Sequence, residues 1–266
     1  MRTLFSALVG VSLVGFLLLS FIYRTEEIDN KPIILGHGGS GVRSIHPLNS
    51  IGSIKEAFEL GADGVEIDVR MSLDGKLFAF NSSRDDEDCT SSFESLSSQE
   101  ISKCEAESWI QSSPVNTLRK TLQSAIPAGK LVSLDLKAEE SPSHIRLDQF
   151  ANAITSLLNQ HTQIKFLLES ENVLLLKRIQ HLKPEARLFL NVKEINPKLD
   201  LIDLGFEGVV IHLDNLSNQT LRELKKSDIK RMVWGVGNVF DNRKAVGLNA
   251  KIIQTDDLGS MNQILK

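Results

Sequence analysis

From Lys31 onward, short apolar runs alternate with longer stretches whose apolar residues recur at helical spacing. Strands are predicted over Ile33–Gly36, Gly64–Val69, Leu77–Phe80, Leu131–Leu136, Ile164–Glu169, Ala186–Asn191, Gly208–Leu213, Arg231–Val236 and Lys251–Thr255. Between them, Ile51, Ile54, Ala57, Phe58 and Leu60 form one amphipathic stripe. Leu174, Leu175, Ile179 and Leu182 form a second, and Leu216, Leu221 and Leu224 a third. Alternating strands and helices predict an α/β fold with a parallel sheet under covering helices. Gly64–Val69 and Leu77–Phe80 are separated only by Arg70 to Lys76, with the turn pair Asp74-Gly75. That is too short for a parallel crossover, so Leu77–Phe80 is predicted to return antiparallel, as a hairpin strand after strand two. Eight parallel strands remain, the number that closes a (β/α)₈ TIM barrel; a doubly wound open sheet is the alternative. The polar, Ser-rich segment from Ser82 to Gln111 is predicted to be an excursion over the barrel mouth.

One stretch changes this from a fold into a chemistry. In Gly64-Val65-Glu66-Ile67-Asp68-Val69-Arg70 the carboxylates alternate with apolar residues. In a strand, Glu66 and Asp68 share one face, about 7 Å apart, and Val65, Ile67 and Val69 share the other. Two carboxylates on one face repel each other; a divalent cation resolves this, and so does a half-buried edge strand that leaves both in water. Chemistry in such barrels sits at the C-terminal ends of the strands. Taken in order, these ends carry His37, then Glu66 and Asp68, Asp135 with Lys137, Glu169 with Ser170, His212, Trp234, and Asp256 with Asp257. Three carboxylates, a His and a Lys would meet at one mouth. Oxygen ligands of this kind suit one divalent cation, Mg²⁺ or Ca²⁺, and with a Lys and a His they suit a phosphoester.

Composition bounds the reading. The 266 residues are 24% charged and 41% apolar, with a net charge of −4, which is ordinary for a globular chain. Without a basic block, and with one Tyr, the sequence gives no sign of a nucleic-acid partner. The apolar run Leu4–Tyr23 lies between Arg2 and Arg24 and as a helix would span about 30 Å. It is long for a signal peptide, and Ser20-Phe21-Ile22-Tyr23 offers no small-x-small cleavage site. A membrane anchor over 1–24, a tether over 25–32 and a barrel over 33–266 are therefore expected, single-pass, with the barrel on the extracytoplasmic side; a cleaved signal peptide is the alternative. Cys89 and Cys104 can form a disulfide in an exported domain, or remain two free thiols.

At this point the motifs carry a resemblance. Gly36-His37-Gly38-Gly39, Pro47-Leu48-Asn49-Ser50, the run Leu60 to Val69 and Leu73-Asp74-Gly75-Lys76 resemble the glycerophosphodiester phosphodiesterase family. Leu134-Asp135-Leu136-Lys137, Val233-Trp234-Gly235-Val236-Gly237-Asn238 and Ile253-Gln254-Thr255-Asp256-Asp257 follow the family's later strands in order and spacing. The resemblance runs from about Ile33 to Leu258. It implies a (β/α)₈ barrel and divalent-metal-dependent hydrolysis of glycerophosphodiesters or related lipid headgroups, lysophospholipid-type substrates included. By position it makes Glu66, Asp68 and Asp135 metal ligands and His37 an acid/base residue. Lys137, Trp234 and Gly38 become substrate contacts.

Three departures stand out. The family's His-Arg-Gly is His37-Gly38-Gly39 here, and its Pro-Glu-Asn-Thr is Pro47-Leu48-Asn49-Ser50; both changes also occur in a branch that keeps the second family histidine. The His-Asp pair that ends the return strand is here Asn81-Ser82. An amide cannot donate a proton as an imidazolium can, and losing a general acid costs typically ~10²–10⁴-fold in rate. The alternative function is therefore a catalytically impaired member of the same fold, serving as a membrane-anchored binding domain. A barrel hydrolase with an unrelated substrate is a third reading. His46 or Arg43, in the loop after strand one, could replace the lost donor or phosphate clamp. The Gly36–Gly41 run could cradle a phosphate or simply turn the chain. His144, His161 and His181 are expected at the surface, Glu139-Glu140 in solvent, and Phe206 in the core.

Overall fold

In the computed structural model, which describes residues 31–81, 89, 93–139, 141–194, 201–216 and 229–266, the apolar runs form strands that close on themselves. They are β1 (Ile33–Gly36), β2 (Gly64–Met71), β3 (Leu77–Ala79), β4 (Glu105–Glu107), β5 (Ser112–Pro114), β6 (Asn116–Thr117), β7 (Leu131–Leu136), β8 (Lys165–Ser170), β9 (Leu188–Val192), β10 (Gly208–His212), β11 (Lys230–Val236) and β12 (Ile252–Thr255). The order β1-β12-β11-β10-β9-β8-β7-β2 is parallel throughout, and β1 also pairs with β2. That second pairing closes the sheet and rules out an open doubly wound arrangement. β3 returns antiparallel on β2, with Val69 opposite Ala79 and Met71 opposite Leu77. The run Leu4–Tyr23, together with Ser82, Glu140, Leu221 and Leu224, lies outside the described residues. Among the described residues no helix is long and apolar enough to cross a membrane.

The helices are α1 (Ile51–Glu59), α2 (Ser98–Ile101), α3 (Leu118–Ala125), α4 (His144–Gln160), α5 (Val173–Leu182), α6 (Leu201–Leu204), α7 (Val239–Gly247) and α8 (Leu258–Ile264). Ser50, Thr117, Ser143, Asn172, Asn238 and Asp257 cap the N-termini of α1, α3, α4, α5, α7 and α8 with side-chain oxygens, each satisfying an otherwise orphaned N–H. Two helical expectations need correction. α5 buries Leu175, Leu176 and Ile179, while Leu174 and Leu182 are exposed; the stripe is one residue out of phase with the 3.6 period. His161 is buried at the C-terminus of α4, where Nδ1 bonds the Leu157 carbonyl at 3.0 Å. β9 also starts later than expected, because the Ala186 N–H is used in a turn back to the Lys183 carbonyl.

Strand parity sorts the interior into two layers. Leu35, Leu131, Leu167, Phe189, Val210, Met232 and Ile252, one from each of seven barrel strands, form an apolar plug. β2 contributes Gly64, where a Cβ would come 2.3 Å from the Leu131 carbonyl oxygen and 2.8 Å from Leu35. Val65, Ile67 and Val69 face outward into the core beneath the helices. Two residues further along each strand the inward positions turn polar: Glu66, Ser133, Glu169, Trp234 and Gln254.

The excursion after β3 is a substructure of its own. Phe78, Phe80, Phe93, Ile101, Cys104 and Val115 form a separate small core, Cys89 and Cys104 form a disulfide, and β4 pairs antiparallel with β5. The tip of that hairpin grips three consecutive residues of the β1–α1 loop. The Ser108 hydroxyl donates to the Ile45 carbonyl at 2.6 Å, Trp109 Nε1 to the Ser44 carbonyl at 3.1 Å, and Gln111 Nε2 meets His46 Nδ1 at 2.6 Å. The disulfide spans a sequence separation of 15 residues, a closure worth about 3 kcal/mol in the chain-entropy model. Replacing both cysteines by Ser should lower the denaturation midpoint accordingly; an unchanged midpoint would mean that the aromatic core holds the excursion without the crosslink.

Candidate metal and phosphoester site

The loop from Gly36 to Ser50 is built to hold carboxylates. Gly38, Gly39 and Gly41 have φ of 53°, 100° and 86°, a left-handed path that suits glycine. A Cβ on Gly41 would also lie 2.5 Å from Asp256 Cα. This path brings the Gly38 N–H to Glu66 Oε2 at 2.9 Å. Asn49, itself at φ 64°, clamps Asp68 from both sides: its amide nitrogen donates to Asp68 Oδ2 at 3.0 Å and its Oδ1 accepts the Asp68 N–H at 2.9 Å. Opposite, β2 and β7 run in register with Asp68 beside Asp135. Glu66, Asp68 and Asp135 are all buried, and one ligand oxygen from each lies within 4.8 Å of the others.

The nearest cations complete the network. Lys137 Nζ bridges Asp135 Oδ2 and Asp68 Oδ1, the latter at 3.0 Å. His37 Nδ1 lies 2.8 Å from Asp256 Oδ1, an oxygen that also accepts the Val42 N–H at 3.1 Å. Behind Asp135, Glu169 Oε1 accepts bonds from the Ser133 hydroxyl at 2.6 Å and Gln254 Nε2 at 2.7 Å.

The electrostatics follow from placing four carboxylates in a barrel interior. Burial, then the Asp68 charge, pushes Glu66 well above the carboxylate range. Burial raises Asp135 to about 6, with Lys137 opposing and the Asp68 charge adding to it. Burial and the Asp135 charge raise Glu169 to about 8 against the Ser133 hydrogen bond. Asp68 alone is lowered: burial works against it, but Lys137, His37 and Asn49 outweigh burial. For His37 burial opposes the charge, yet the Asp256 hydrogen bond and the Glu66 and Asp256 carboxylates raise it to about 10. Lys137, likewise opposed by burial, is raised by Asp68 and Asp135. All-oxygen, anionic, water-poor donors of this kind fit a hard divalent cation.

The residues singled out in the sequence divide into groups. Glu66, Asp68, Asp135, Lys137 and Gly38 share one bonded network, and His37, held by Asp256, lies within reach of the Glu66 and Asp68 charges, but both backbone groups of Gly38 are used by the protein: its N–H by Glu66, its carbonyl by Ser53 Oγ and the Asn49 N–H. Trp234 packs on the apolar plug and meets the His212 ring edge-on, with centroids 4.7 Å apart. Its Nε1 is buried without a hydrogen-bond partner among the described residues. Asn81 lines an adjacent cleft with Gly41, Val42, His46, Leu48 and Phe80. Sequence reasoning assigned no role to Asn49 or to the His37–Asp256 pair, although both residues lay inside motifs already quoted.

The model of the Glycerophosphoryl diester phosphodiesterase family matches residues 37–260. A glycerophosphodiester phosphodiesterase of Caldanaerobacter subterraneus subsp. tengcongensis is 43% identical over 47 residues, a match spanning 18% of this chain and 18% of that protein. A glycerophosphodiester phosphodiesterase from Parabacteroides distasonis superposes with TM-score 0.77 at 21% identity, over 89% of this chain and 97% of that one. An Oleispira antarctica phosphodiesterase in complex with the product sn-glycerol-3-phosphate superposes with TM-score 0.76 at 22% identity, over 87% and 96%. At such identities the structures establish the shared fold alone.

The raised groups fix a sign. Asp135 and Glu169 bind protons more tightly folded than unfolded, so the stability they contribute is complete below about pH 4 and is lost as pH rises through about 6 and about 8. Without added cation the protein should lose stability between pH 5 and 8. Mg²⁺ or Ca²⁺ should raise the melting temperature more at pH 8 than at pH 5, by relieving repulsion that exists only once these groups ionise. An equal shift at both pH values, or none, would remove the metal assignment.

Proposed function

This chain belongs to the glycerophosphoryl diester phosphodiesterase family, and from that premise we propose that it is a divalent-cation-dependent hydrolase of glycerophosphodiesters or related lipid headgroups, working at the mouth defined by Glu66, Asp68 and Asp135. The observation that carries this is the buried carboxylate triad, bridged by Lys137 and within reach of the His37 charge. Glu66, Asp68 and Asp135 would hold the cation, which supplies positive charge against the phosphoryl oxygens where negative charge builds up.

The chain's own residues supply the rest. Lys137, tethered to Asp68 and Asp135, carries a fixed positive charge toward a bound phosphate. Asp256 occupies His37 Nδ1, which leaves Nε2 as the nitrogen that moves a proton. Trp234, seated on the apolar plug with its ring edge-on to His212, would offer a substrate an apolar wall. Asn81 orients the alcohol side through its amide without proton transfer. Localisation follows the same reading: the run Leu4–Tyr23 would anchor the chain, with residues 25–32 as tether and the barrel on the extracytoplasmic side, and the Cys89–Cys104 disulfide supports an oxidising compartment. No observation favours the binding-domain reading over the enzyme.

The test is turnover of glycerophosphocholine, glycerophosphoethanolamine and a lysophospholipid by the full chain, with Mg²⁺, Ca²⁺ or chelator. Activity should require the cation and fall at least ~10²-fold in Glu66→Gln and in His37→Gln. Turnover that survives both substitutions would place the chemistry elsewhere.

A further inference from the structure

The alcohol that leaves a phosphodiester needs a proton unless it is already a stable anion. Asn81, in the cleft beside the triad, cannot supply one. A single imidazole shares that cleft. His46 lines it together with Asn81, Gly41, Val42, Leu48, Phe80 and the β4 end of the hairpin. The cleft volume is about 60 Å³, several times the ~15 Å³ that one water requires, and so enough for a small alcohol group. It joins the His37 site directly, since Gly41 packs on Asp256 and Val42 shares the Asp256 oxygen that holds His37.

We propose that His46 is the acid that protonates the leaving alcohol, an inference that rests on the hydrolase reading above. Three independent features hold the ring. Gln111, on the disulfide-stapled excursion, meets Nδ1 at 2.6 Å. The Ser44 hydroxyl accepts the His46 N–H at 2.9 Å. The ring lies on Gly52 of α1, where a Cβ would come 2.6 Å from Nδ1 and 3.0 Å from Cε1. With Nδ1 occupied by Gln111, and no hydrogen bond to Nε2 among the described residues, Nε2 is the polar edge left for the cleft. Gln111 serves both forms of the ring: its NH₂ donates to a bare Nδ1, and after rotation of its amide its oxygen accepts from Nδ1–H. The charged groups around the ring are carboxylates: Glu56 on α1, and Glu105 and Glu107 on the cleft wall. Burial pushes Glu56 upward, but bonds from Ser40 and Ser44 and then the His46 charge bring it below its ordinary value.

The step balances. Water adds its oxygen to phosphorus and gives its proton to Nε2 of neutral His37, which passes it to solvent. The bond from phosphorus to the alcohol oxygen breaks with its electron pair on oxygen, and that oxygen takes the Nε2 proton of the imidazolium. His46 ends neutral and is reprotonated from solvent.

The experiment compares two glycerol phosphodiesters on the full chain with Mg²⁺: one whose leaving group is ethanolamine, and one whose leaving group is p-nitrophenol, which departs as an anion. His46→Gln should lower kcat/KM for the ethanolamine ester by ~10²–10⁴-fold and leave the p-nitrophenyl ester within a few-fold. Gly52→Ala, which displaces the ring without removing it, should give the same selective pattern, smaller in size, and keeps the test open if His46→Gln does not fold. Equal losses on both esters would assign His46 a structural role, and no loss on either would assign it none; both overturn the inference. If the unsubstituted chain turns over neither ester, the hydrolase reading itself fails and the inference falls with it.

Discussion

Everything at the mouth of this barrel answers to one electrostatic constraint: Glu66, Asp68, Asp135 and Glu169 are buried in a common interior. Isolated charges in such a place are expensive, and the carboxylates either find positive charge and donors or keep their protons. The protein does both. Asp68 is ionised by direct contact with Lys137 and by the Asn49 clamp. Glu169, hydrogen-bonded among the described residues to Ser133 and Gln254, is raised toward the neutral acid. Burial also raises Glu66 and Asp135, and their demand for positive charge makes a divalent cation the natural complement. Lys137 belongs to the same balance. Its ammonium is held by two of the carboxylates, Asp68 and Asp135, that would hold the cation.

The constraint could not be met in an unplugged barrel. The seven-residue apolar layer below the triad excludes water from that side of the carboxylates. Gly64 fits this layer because β2 and β7 approach too closely for a side chain at that position, and that close approach also sets Asp68 beside Asp135. A larger residue at 64 would displace the strand that carries two of the three ligands. The plug and the site are linked through register, and substitutions in the floor act on the geometry above it.

Most of this was legible in the sequence because it depends on parity and order. Alternation in β2 separated the carboxylate face from the core face, and the short link between β2 and β3 identified β3 as an antiparallel return rather than a barrel strand, so the barrel count followed. What escaped depends on contacts between distant residues. The His37–Asp256 pair joins the two ends of the barrel, 219 positions apart, and no local pattern encodes it. The Asn49 clamp needs a left-handed residue in a loop whose path is set by three glycines and by Leu48, which packs on Gly38. The phase of α5 went wrong for a different reason: in Val173-Leu174-Leu175-Leu176 every residue is apolar, so periodicity alone could not say which one faces out. His161 looked polar and exposed, and is buried because the α4 C-terminus offers its ring the Leu157 carbonyl.

The excursion after β3 has a cost that the barrel alone does not explain. A stapled hairpin with its own aromatic core is a large structure to place beside a mouth that is already closed below. Its tip makes no contact with the triad; it is spent on Ser44, Ile45 and His46. Fixing three consecutive residues of one loop removes most of that loop's freedom, and catalytic groups gain from such restriction, because misplacement by about 1 Å costs ~10²-fold in rate. The same loop carries Gly38 and Asn49, which hold Glu66 and Asp68. A single clamp from outside the barrel therefore steadies both the buried carboxylates and the cleft beside His46, and the crosslink that stiffens the clamp acts on both through one segment of chain.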